Sequence, residues 1–312
     1  MTEKRELVYV AGHRGLVGSA IARHIDAVGD RDWIGRTRAE LDLGDRPAVF
    51  DFIEQTKPDS IVIAAAKVGG IGANDAYPVE FLTENIQLQS NLLDAAHKTG
   101  VPRVLFLGSS CIYPKFAEQP IRESSMMTGP LEPTNDAYAI AKLAGIRLVD
   151  AYRSQYGRQW ISAMPTNLFG PGDNFDLETS HVLPALIRRF HDAKVAGHDS
   201  VTLWGTGEAL REFLYVDDAA DASVFLLDHY NEPGPINVGF GEEISIRDLA
   251  TMIAGVVGFE GSLEWDSSKP NGTPRKILDS SRIRDLGWAP KVGLVEGIRR
   301  TYDAYLAGLD TA

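Results

Sequence analysis

The chain has 312 residues, with 31 Lys and Arg against 43 Asp and Glu, and a formal net charge of −12 at pH 7. A balance this acidic argues against a general nucleic-acid or membrane-surface binder, and no apolar run approaches the roughly 20 residues of a membrane helix. One cysteine can form neither an internal disulfide nor a cysteine-based metal cage, so we expect a cytoplasmic protein without a metal.

The first predicted element is a strand that runs directly into a glycine turn and a helix. Apolar residues 7–11 precede glycines at 12, 15 and 18 and a helical pattern. The first glycine permits a tight turn, the second lets a diphosphate approach the backbone, and the third allows close packing of helix on strand. The predicted cofactor contacts in this loop are Gly12, His13, Arg14, Gly15, Leu16, Val17 and Gly18.

A cluster of arginines follows the second short strand. Arg36 and Arg38 come about 20 residues past the glycines, where an NAD site usually offers an acidic side chain to the ribose. Together with Arg14 they supply three guanidinium groups, which suit a 2′-phosphate. We therefore predict NADP(H) as the cofactor, with ordinary surface arginines as the alternative. Asp42 and Leu43 fall where such folds often contact adenine.

Apolar β-like runs alternate with helical windows through the first half of the chain. Residues 60–65, 104–108 and 160–165 are predicted strands, and residues 46–56 and 81–99 are predicted helices. This alternation predicts an α/β fold with a Rossmann-like, doubly wound parallel sheet.

The alternation becomes irregular after residue 170, where Pro, Gly, Asp and Asn crowd together. We predict an NADP-binding Rossmann domain over residues 1–170, to which residues 213–240 return. A smaller C-terminal domain over residues 171–312 is expected to bind the substrate.

A Tyr and a Lys four residues apart open the helical stretch 137–156. Tyr138 and Lys142 lie one above the other on a helix, so the ammonium is expected to depress the phenol pKa. Ser109 follows the strand 104–108 and offers a second hydrogen bond to the same carbonyl oxygen of a substrate. A chance Tyr/Lys pair is the alternative, but the strand and the nucleotide loop favour catalysis.

Candidate ligand contacts continue downstream. Arg189 and Arg211 suit bidentate contact with a diphosphate, although each alone is more often a solvated charge. Trp204 and Asn271 complete the predicted substrate-binding set. The further predicted cofactor contacts are Leu107, Gly108, Ser109, Tyr138, Lys142, Pro165, Asn167, Leu168 and His181.

Several of these segments together carry a resemblance. The glycine loop, Ser109, the Tyr138/Lys142 pair and segments 165–171 and 211–218 resemble the extended short-chain dehydrogenase/reductase superfamily. More narrowly, the chain resembles the GDP-L-fucose synthase family nearly end to end. The segments that carry this narrower resemblance are 11–15, 65–71, 107–114, 131–135 and 269–276.

The resemblance implies a reaction and assigns roles. The family epimerises C3 and C5 of GDP-4-keto-6-deoxy-D-mannose and then reduces C4 with NADPH. It implies that Cys111 is the base and His181 the acid of epimerisation, that Tyr138 protonates the oxygen during reduction, and that Lys142 holds the nicotinamide ribose. From the residues alone, a lone cysteine such as Cys111 is more often a packing residue, and His181 is more often a surface or capping histidine. Asn271 departs from the family, which commonly has Asp there.

Other functions remain open at this stage. A 4,6-dehydratase or a simple 4-epimerase shares the fold, but a dehydratase is expected to carry Asp or Glu where this chain has Ser110 and Cys111. A GDP-L-colitose synthase uses related groups on a substrate without the C3 hydroxyl. A non-catalytic NADP-sensing regulator is the alternative from a different class. Extra apolar residues in windows 81–99 and 137–156 predict a homodimer through a helix-on-helix interface.

Overall fold

The computed structural model describes residues 5–269 and 272–309, without the side chain of Ile71. The β-strands are β1 Leu7–Ala11, β2 Asp32–Ile34, β3 Ser60–Ile63, β4 Arg103–Leu107, β5 Ile161–Pro165, β6 Asn167–Phe169, β7 Ser200–Trp204, β8 Leu210–Arg211, β9 Phe213–Tyr215, β10 Pro235–Val238, β11 Ile244–Ser245, β12 Ser262–Asp266 and β13 Arg275–Lys276. The α-helices are α1 Leu16–Val28, α2 Arg46–Thr56, α3 Ile71–Ala76, α4 Pro78–Thr99, α5 Asp136–Tyr156, α6 Val182–Ala196, α7 Val216–His229, α8 Ile246–Val257, α9 Ser281–Asp285 and α10 Leu294–Leu309.

A six-stranded parallel sheet forms the centre of the larger part, in the order β10-β5-β4-β3-β1-β2. Its strands are nearly continuous apolar runs because helices cover both faces. In β1, Val8 and Val10 pack into the core on one face, while Tyr9 and Ala11 pack into the core on the other. The predicted doubly wound parallel sheet is therefore confirmed.

The two faces of this sheet are covered by different helices. Helices α1 and α7 supply apolar residues to one core, and α2, α4 and α5 supply them to the other. The predicted strands and helices of the first half match the observed elements to within a few residues at their ends. Helix α4 begins at Pro78, three residues before the predicted start.

The C-terminal half contains smaller sheets and a core of its own. Strands pair in the orders β11-β8-β13, β12-β7 and β6-β9. Helices α6, α8 and α10 contribute to a third apolar cluster with these strands. Strand β10 instead pairs with β5 of the large sheet, and helix α7 packs against that sheet. The chain therefore crosses between the two parts more than once.

This topology positions the functional side chains at one edge of the large sheet. The carboxyl ends of parallel strands lie together, and ligands in such folds bind in the crevice outside them. The glycine turn follows β1, Ser109 follows β4, and residues 166–170 follow β5. Within the described residues, no helix combines enough length with enough apolar character to cross a membrane.

Candidate active site

The glycine loop brings the N-terminus of α1 against the end of β1. Gly12 has a left-handed backbone with φ +87°, and a Cβ there would lie 2.7 Å from the backbone of Ala65. A Cβ on Gly18 would lie 2.1 Å from the carbonyl oxygen of Gly12. Gly15 precedes the helix without a side-chain cap, which leaves the first N–H groups of α1 available to an anion. The loop is therefore shaped for close approach of a diphosphate.

A cavity of about 360 Å³ opens beside this loop. Its lining residues are Gly12, His13, Arg14, Gly15, Arg36, Thr37, Arg38 and Ala39. The three arginines predicted from the sequence thus lie around one cavity, next to open backbone N–H groups. This donor set fits an anionic dinucleotide. The sequence did not indicate Thr37 and Ala39, because small residues in a loop carry no pattern.

The other residues predicted near this end of the cofactor differ in their placement. Asp42 is exposed and lies outside the cavity lining, and its carboxylate accepts a hydrogen bond from the N–H of Gly44 at 2.9 Å. Leu43 also lies outside the lining and packs against the core. Burial, followed by the charge of Arg14, lowers the pKa of the His13 imidazole. His13 therefore adds no positive charge to the arginine cluster at neutral pH.

Several apolar cofactor candidates meet in a second, small cavity. Its lining residues are Val17, Leu107, Ala163, Pro165, Leu168, Ala219, Ser223 and Val238. The sequence indicated four of them, Val17, Leu107, Pro165 and Leu168, from the loops after the strands. The residues from α7 and β10 were missed because that segment returns to the sheet from far along the chain.

Ser109, Tyr138 and Lys142 meet at the carboxyl end of β4. The side chain of Ser109 hydrogen-bonds that of Tyr138. Lys142 is only 3% exposed, and its Nζ donates a hydrogen bond to the Leu107 carbonyl oxygen at 2.8 Å. The same Nζ lies 5.9 Å from the centre of the Tyr138 ring. The structure thus brings together the three residues predicted to hold a carbonyl oxygen.

The electrostatics of this trio differ from the expectation drawn from sequence. Burial raises the pKa of Tyr138, nearby Cys111 raises it further, and only the hydrogen bond from Ser109 opposes them. Lys142 does not depress the phenol pKa. Burial lowers the pKa of its own ammonium to about 8, so the lysine loses its charge at a lower pH than that at which the phenol loses its proton. Tyr138 consequently remains a neutral phenol, which is the form that donates a proton.

Cys111 lies next to the trio in a short 3₁₀ turn, Ser110–Ile112. Its half-buried Sγ accepts hydrogen bonds from Nδ2 of Asn135 at 3.4 Å and from Nζ of Lys276 at 3.6 Å. The charge of Cys111 also acts on the pKa of Tyr138. The thiol therefore lies close to the phenol and does not point into an apolar core, as a purely structural cysteine would.

His181 is the residue immediately before α6. The loop that precedes it is held by a hydrogen bond from the N–H of Gly70 to the Thr179 carbonyl oxygen at 2.9 Å. The imidazole is exposed, but partial desolvation by the surrounding protein, and then the positive Lys276, lower its pKa. The imidazole and the Cys111 thiol thus share Lys276 as a charged neighbour.

The predicted substrate contacts lie on separate elements of the C-terminal half. Arg189 is half-buried on α6, and Trp204 is 62% exposed at the end of β7. Arg211 lies on β8, where desolvation lowers the pKa of its guanidinium. Among the described residues, no hydrogen bond or ion pair joins these three side chains to one another. Asn271 lies outside the described residues.

Two functional features received no role from the sequence. Asn135 and Lys276, which contact the thiol, end the segments 131–135 and 269–276 that carry the resemblance, but neither residue was assigned a function there. Glu212 is fully buried and accepts hydrogen bonds from the N–H groups of Gly241 and Leu278 at 2.7 and 3.0 Å. Its backbone oxygen accepts a hydrogen bond from Nδ2 of Asn167 at 2.7 Å. The predicted ligand residue Asn167 is therefore anchored by its amide nitrogen to β8–β9.

Comparisons with known proteins place this geometry in context. Residues 8–239 match the sequence model of the NAD dependent epimerase/dehydratase family. The chain is 57% identical to GDP-L-fucose synthase 1 of Arabidopsis thaliana, over 98% of this chain and 95% of that protein. It is 49% identical to GDP-L-fucose synthase of Escherichia coli strain K12, over 98% of both. A GDP-L-colitose synthase of Yersinia pseudotuberculosis is 38% identical, over 96% of this chain and 97% of that protein.

A solved structure supports the same relationship. The structure of a GDP-L-fucose synthetase from Naegleria fowleri bound to NADP superposes with a TM-score of 0.91 at 28% identity. The superposition covers 100% of this chain and 97% of that one. The similarity therefore extends through both the large sheet and the C-terminal half.

Proposed function

Because the chain belongs to the NAD dependent epimerase/dehydratase family and its near full-length relatives are GDP-L-fucose synthases, we propose that it makes GDP-L-fucose. The substrate is GDP-4-keto-6-deoxy-D-mannose, which is epimerised at C3 and C5 and then reduced at C4. The observation that carries this proposal is a connected set of hydrogen bonds and charge interactions that runs from Ser109 and Tyr138 through Cys111 and Lys276 to His181. Proton-transfer groups and carbonyl-polarising groups lie side by side in one site.

Epimerisation uses the acidity of carbons next to the ketone. Cys111, as the thiolate, takes the proton from C3 or C5; the C–H bond breaks, an S–H bond forms, and the electron pair moves to the C4 oxygen as an enolate. Ser109 and Tyr138 hydrogen-bond that oxygen and stabilise its charge. His181, in the fraction that carries a second ring proton, then returns a proton to the carbon from the opposite face; its lowered pKa makes that fraction small at neutral pH. Before the second inversion, solvent returns a proton to the exposed His181 and takes the proton from Sγ of the half-buried Cys111.

Reduction uses the same polarised oxygen. NADPH, when bound, supplies the hydride that reduces C4. Tyr138 gives its phenolic proton to the C4 oxygen, and its raised pKa keeps that proton on the phenol until the oxygen becomes basic. Lys142, buried beside the ring with a pKa near 8, is suited to hold the cofactor ribose and to return a proton to Tyr138.

The cofactor contacts follow from the two cavities. We propose that the glycine loop binds the diphosphate and that Arg14, Arg36 and Arg38 bind the 2′-phosphate. The NADP-bound Naegleria fowleri structure supports this choice of cofactor. Among the described residues, no group of three or more His, Cys, Asp or Glu could hold a metal ion, and the proposed chemistry needs none.

We assign substrate binding to the C-terminal half and NADP binding to residues 1–170 together with residues 213–240. Within the C-terminal half, Arg189 and Arg211 are proposed to bind the GDP diphosphate. Trp204 is proposed as an aromatic surface for the nucleotide. The Asn271 contact stays a prediction from the sequence.

A homodimer and a cytoplasmic location complete the proposal. Helices α4 and α5 pack together and carry exposed apolar side chains, among them Val79, Ile140 and Tyr156. Such residues suit a helix-on-helix contact between two copies. The single cysteine fits a reducing compartment.

The experiment that tests the function is NADPH oxidation with GDP-4-keto-6-deoxy-D-mannose, followed by NMR of the sugar. We expect GDP-L-fucose with solvent deuterium at C3 and C5 when the reaction runs in deuterated water. An unepimerised D-sugar would assign the chain as a simple 4-reductase. Tight NADPH binding without turnover would favour the sensing regulator. The lower identity to the colitose synthase disfavours that substrate, which direct competition between the two keto sugars would test.

A further inference from the structure

Lys276, on strand β13 of the β11-β8-β13 sheet, contacts the thiol of Cys111. Nζ of Lys276 lies 3.6 Å from Sγ, although the two residues are 165 positions apart. Resting on the proposed function, we propose that Lys276 holds Cys111 as the thiolate and thereby makes it the base of epimerisation. Lys276 would then be a positioning residue that acts through Cys111 by stabilising the negative charge of its thiolate.

The position of Lys276 is fixed by bonds on either side of it. The N–H of Ile277 donates to Oε1 of Gln119 at 3.0 Å, and the Ile277 carbonyl oxygen accepts from the N–H of Ile121 at 2.8 Å. These bonds attach β13 to the segment that follows Cys111. Just upstream, the hydroxyl of Thr273 lies 3.3 Å from Oε2 of Glu132. The backbone of Lys276 is therefore held beside the segment of Cys111, which keeps the ammonium within reach of the thiol.

The charge on Lys276 has no carboxylate partner within residues 5–269 and 272–309. Among the described residues Lys276 forms no ion pair, whereas nearby Lys115 pairs with Glu132 at 3.0 Å. An uncompensated ammonium in contact with a half-buried sulfur favours the negatively charged form of that sulfur. Asn135 adds a neutral hydrogen bond from a second direction at 3.4 Å. These two donors can stabilise the thiolate without neutralising it by proton transfer.

The same ammonium affects the acid of the reaction. Burial, and then the charge of Lys276, lower the pKa of His181, which favours release of the imidazole proton. A neighbour that stabilises a thiolate and promotes proton donation by an imidazole assists both halves of an inversion. In the overall step, the substrate C–H proton moves to Sγ, the His181 proton moves to carbon, and Lys276 keeps all of its protons.

A different role for Lys276 is binding of the substrate diphosphate. That role would appear mainly in KM, because ground-state and transition-state binding would weaken together. The proposed role instead predicts a loss in the exchange step with KM little changed. It also predicts an effect on the free enzyme, in which no substrate is present.

The experiment compares Lys276→Met with Lys276→Arg, with Lys291→Met as a control at an exposed ion pair elsewhere. Iodoacetamide is applied to the ligand-free protein at neutral pH, and alkylation is followed by intact mass. Because the chain has one cysteine, every added group reports on Cys111. We expect about tenfold slower alkylation in Lys276→Met and near-parent rates in the other two variants. Circular dichroism checks that each variant is folded.

The second readout is deuterium exchange at C3 and C5 of the keto sugar. We expect Lys276→Met to lose about tenfold in exchange rate and Lys276→Arg to retain most of it. Equal alkylation rates in Lys276→Met and the parent would overturn the inference, as would a loss confined to KM. Slower alkylation in Lys276→Met, in an enzyme whose parent form shows no exchange, would support the thiolate contact and refute the proposed function separately.

Discussion

The two sides of the candidate site are built differently. On the proposed reduction side, Ser109, Tyr138 and Lys142 come from the end of β4 and the first turns of α5 and are largely enclosed. On the proposed epimerisation side, Cys111, His181 and Lys276 come from three segments spread over the chain, and His181 is exposed. Burial dominates the pKa values on the first side. On the second, burial and then the charge of Lys276 lower the pKa of His181, and the Lys276 ammonium also contacts the Cys111 thiol.

This difference follows from what each step needs. Proton delivery to an oxygen during reduction needs a neutral donor, which desolvation maintains. Carbon deprotonation needs a charged base, which the adjacent ammonium is proposed to maintain, and an acid that can recover its proton from solvent. Variants that remove one group from each side should therefore separate the two activities.

The largest effect is expected from Tyr138→Phe. This change removes both the proton donor and one hydrogen bond to the C4 oxygen, so NADPH-dependent reduction should fall by about 10³- to 10⁴-fold. Deuterium exchange at C3 and C5 should fall less, because Ser109 still stabilises the enolate. Equal losses in both assays would contradict a separate role of Tyr138 in proton delivery.

Cys111→Ser tests the other side. We expect exchange at C3 and C5 to fall by about 10²- to 10³-fold, because a serine hydroxyl is a far weaker base at neutral pH. NADPH oxidation should continue on the unepimerised ketone and give a D-sugar, identified by NMR. Exchange at the parent rate would exclude Cys111 as the base.

Lys142 connects burial with the pH dependence of stability. Its pKa is lowered from 10.5 to about 8 in the fold, so the buried charge is unfavourable. The penalty is fully present below pH 8 and is relieved as the pH rises from 8 to 10.5, where the unfolded chain still binds the proton. Across this window the parent should gain on the order of 3 kcal/mol in unfolding free energy relative to Lys142→Met.

Urea denaturation of both proteins at several pH values measures this gain, and Lys291→Met serves as the surface control. Because the parent and the variant share all other titrating groups, their difference isolates residue 142. A difference that stays flat between pH 8 and 10.5 would mean that the ammonium is well solvated in the folded protein.

The smallest effect is expected at the arginine cavity. Replacing Arg36 and Arg38 by Ala should reduce the preference for NADPH over NADH by about tenfold, because each guanidinium gives a charged hydrogen bond to the 2′-phosphate. The ratio of kcat/KM values for the two cofactors measures this preference. Arg299→Ala, which removes an exposed arginine on α10, is the matched control. An unchanged ratio in the double variant would remove the assignment of these residues to the phosphate.

Local sequence patterns determined much of this protein. The apolar run and the spaced glycines predicted β1, its turn and α1, since a Cβ on Gly12 would clash with the backbone of Ala65 and a Cβ on Gly18 would clash with that of Gly12. The four-residue spacing of Tyr138 and Lys142 placed them on one face of α5 because helical periodicity is a local property.

Tertiary structure decided the rest. The contact between Lys276 and Cys111 depends on how β13 packs against the segment after the thiol, and no local pattern encodes a pairing over 165 residues. The direction of the Tyr138 pKa was predicted wrongly because the spacing to Lys142 was visible in sequence but the desolvation around both groups was not. Burial and long-range charge arise only when distant segments meet, so the folded chain alone sets which groups hold their protons.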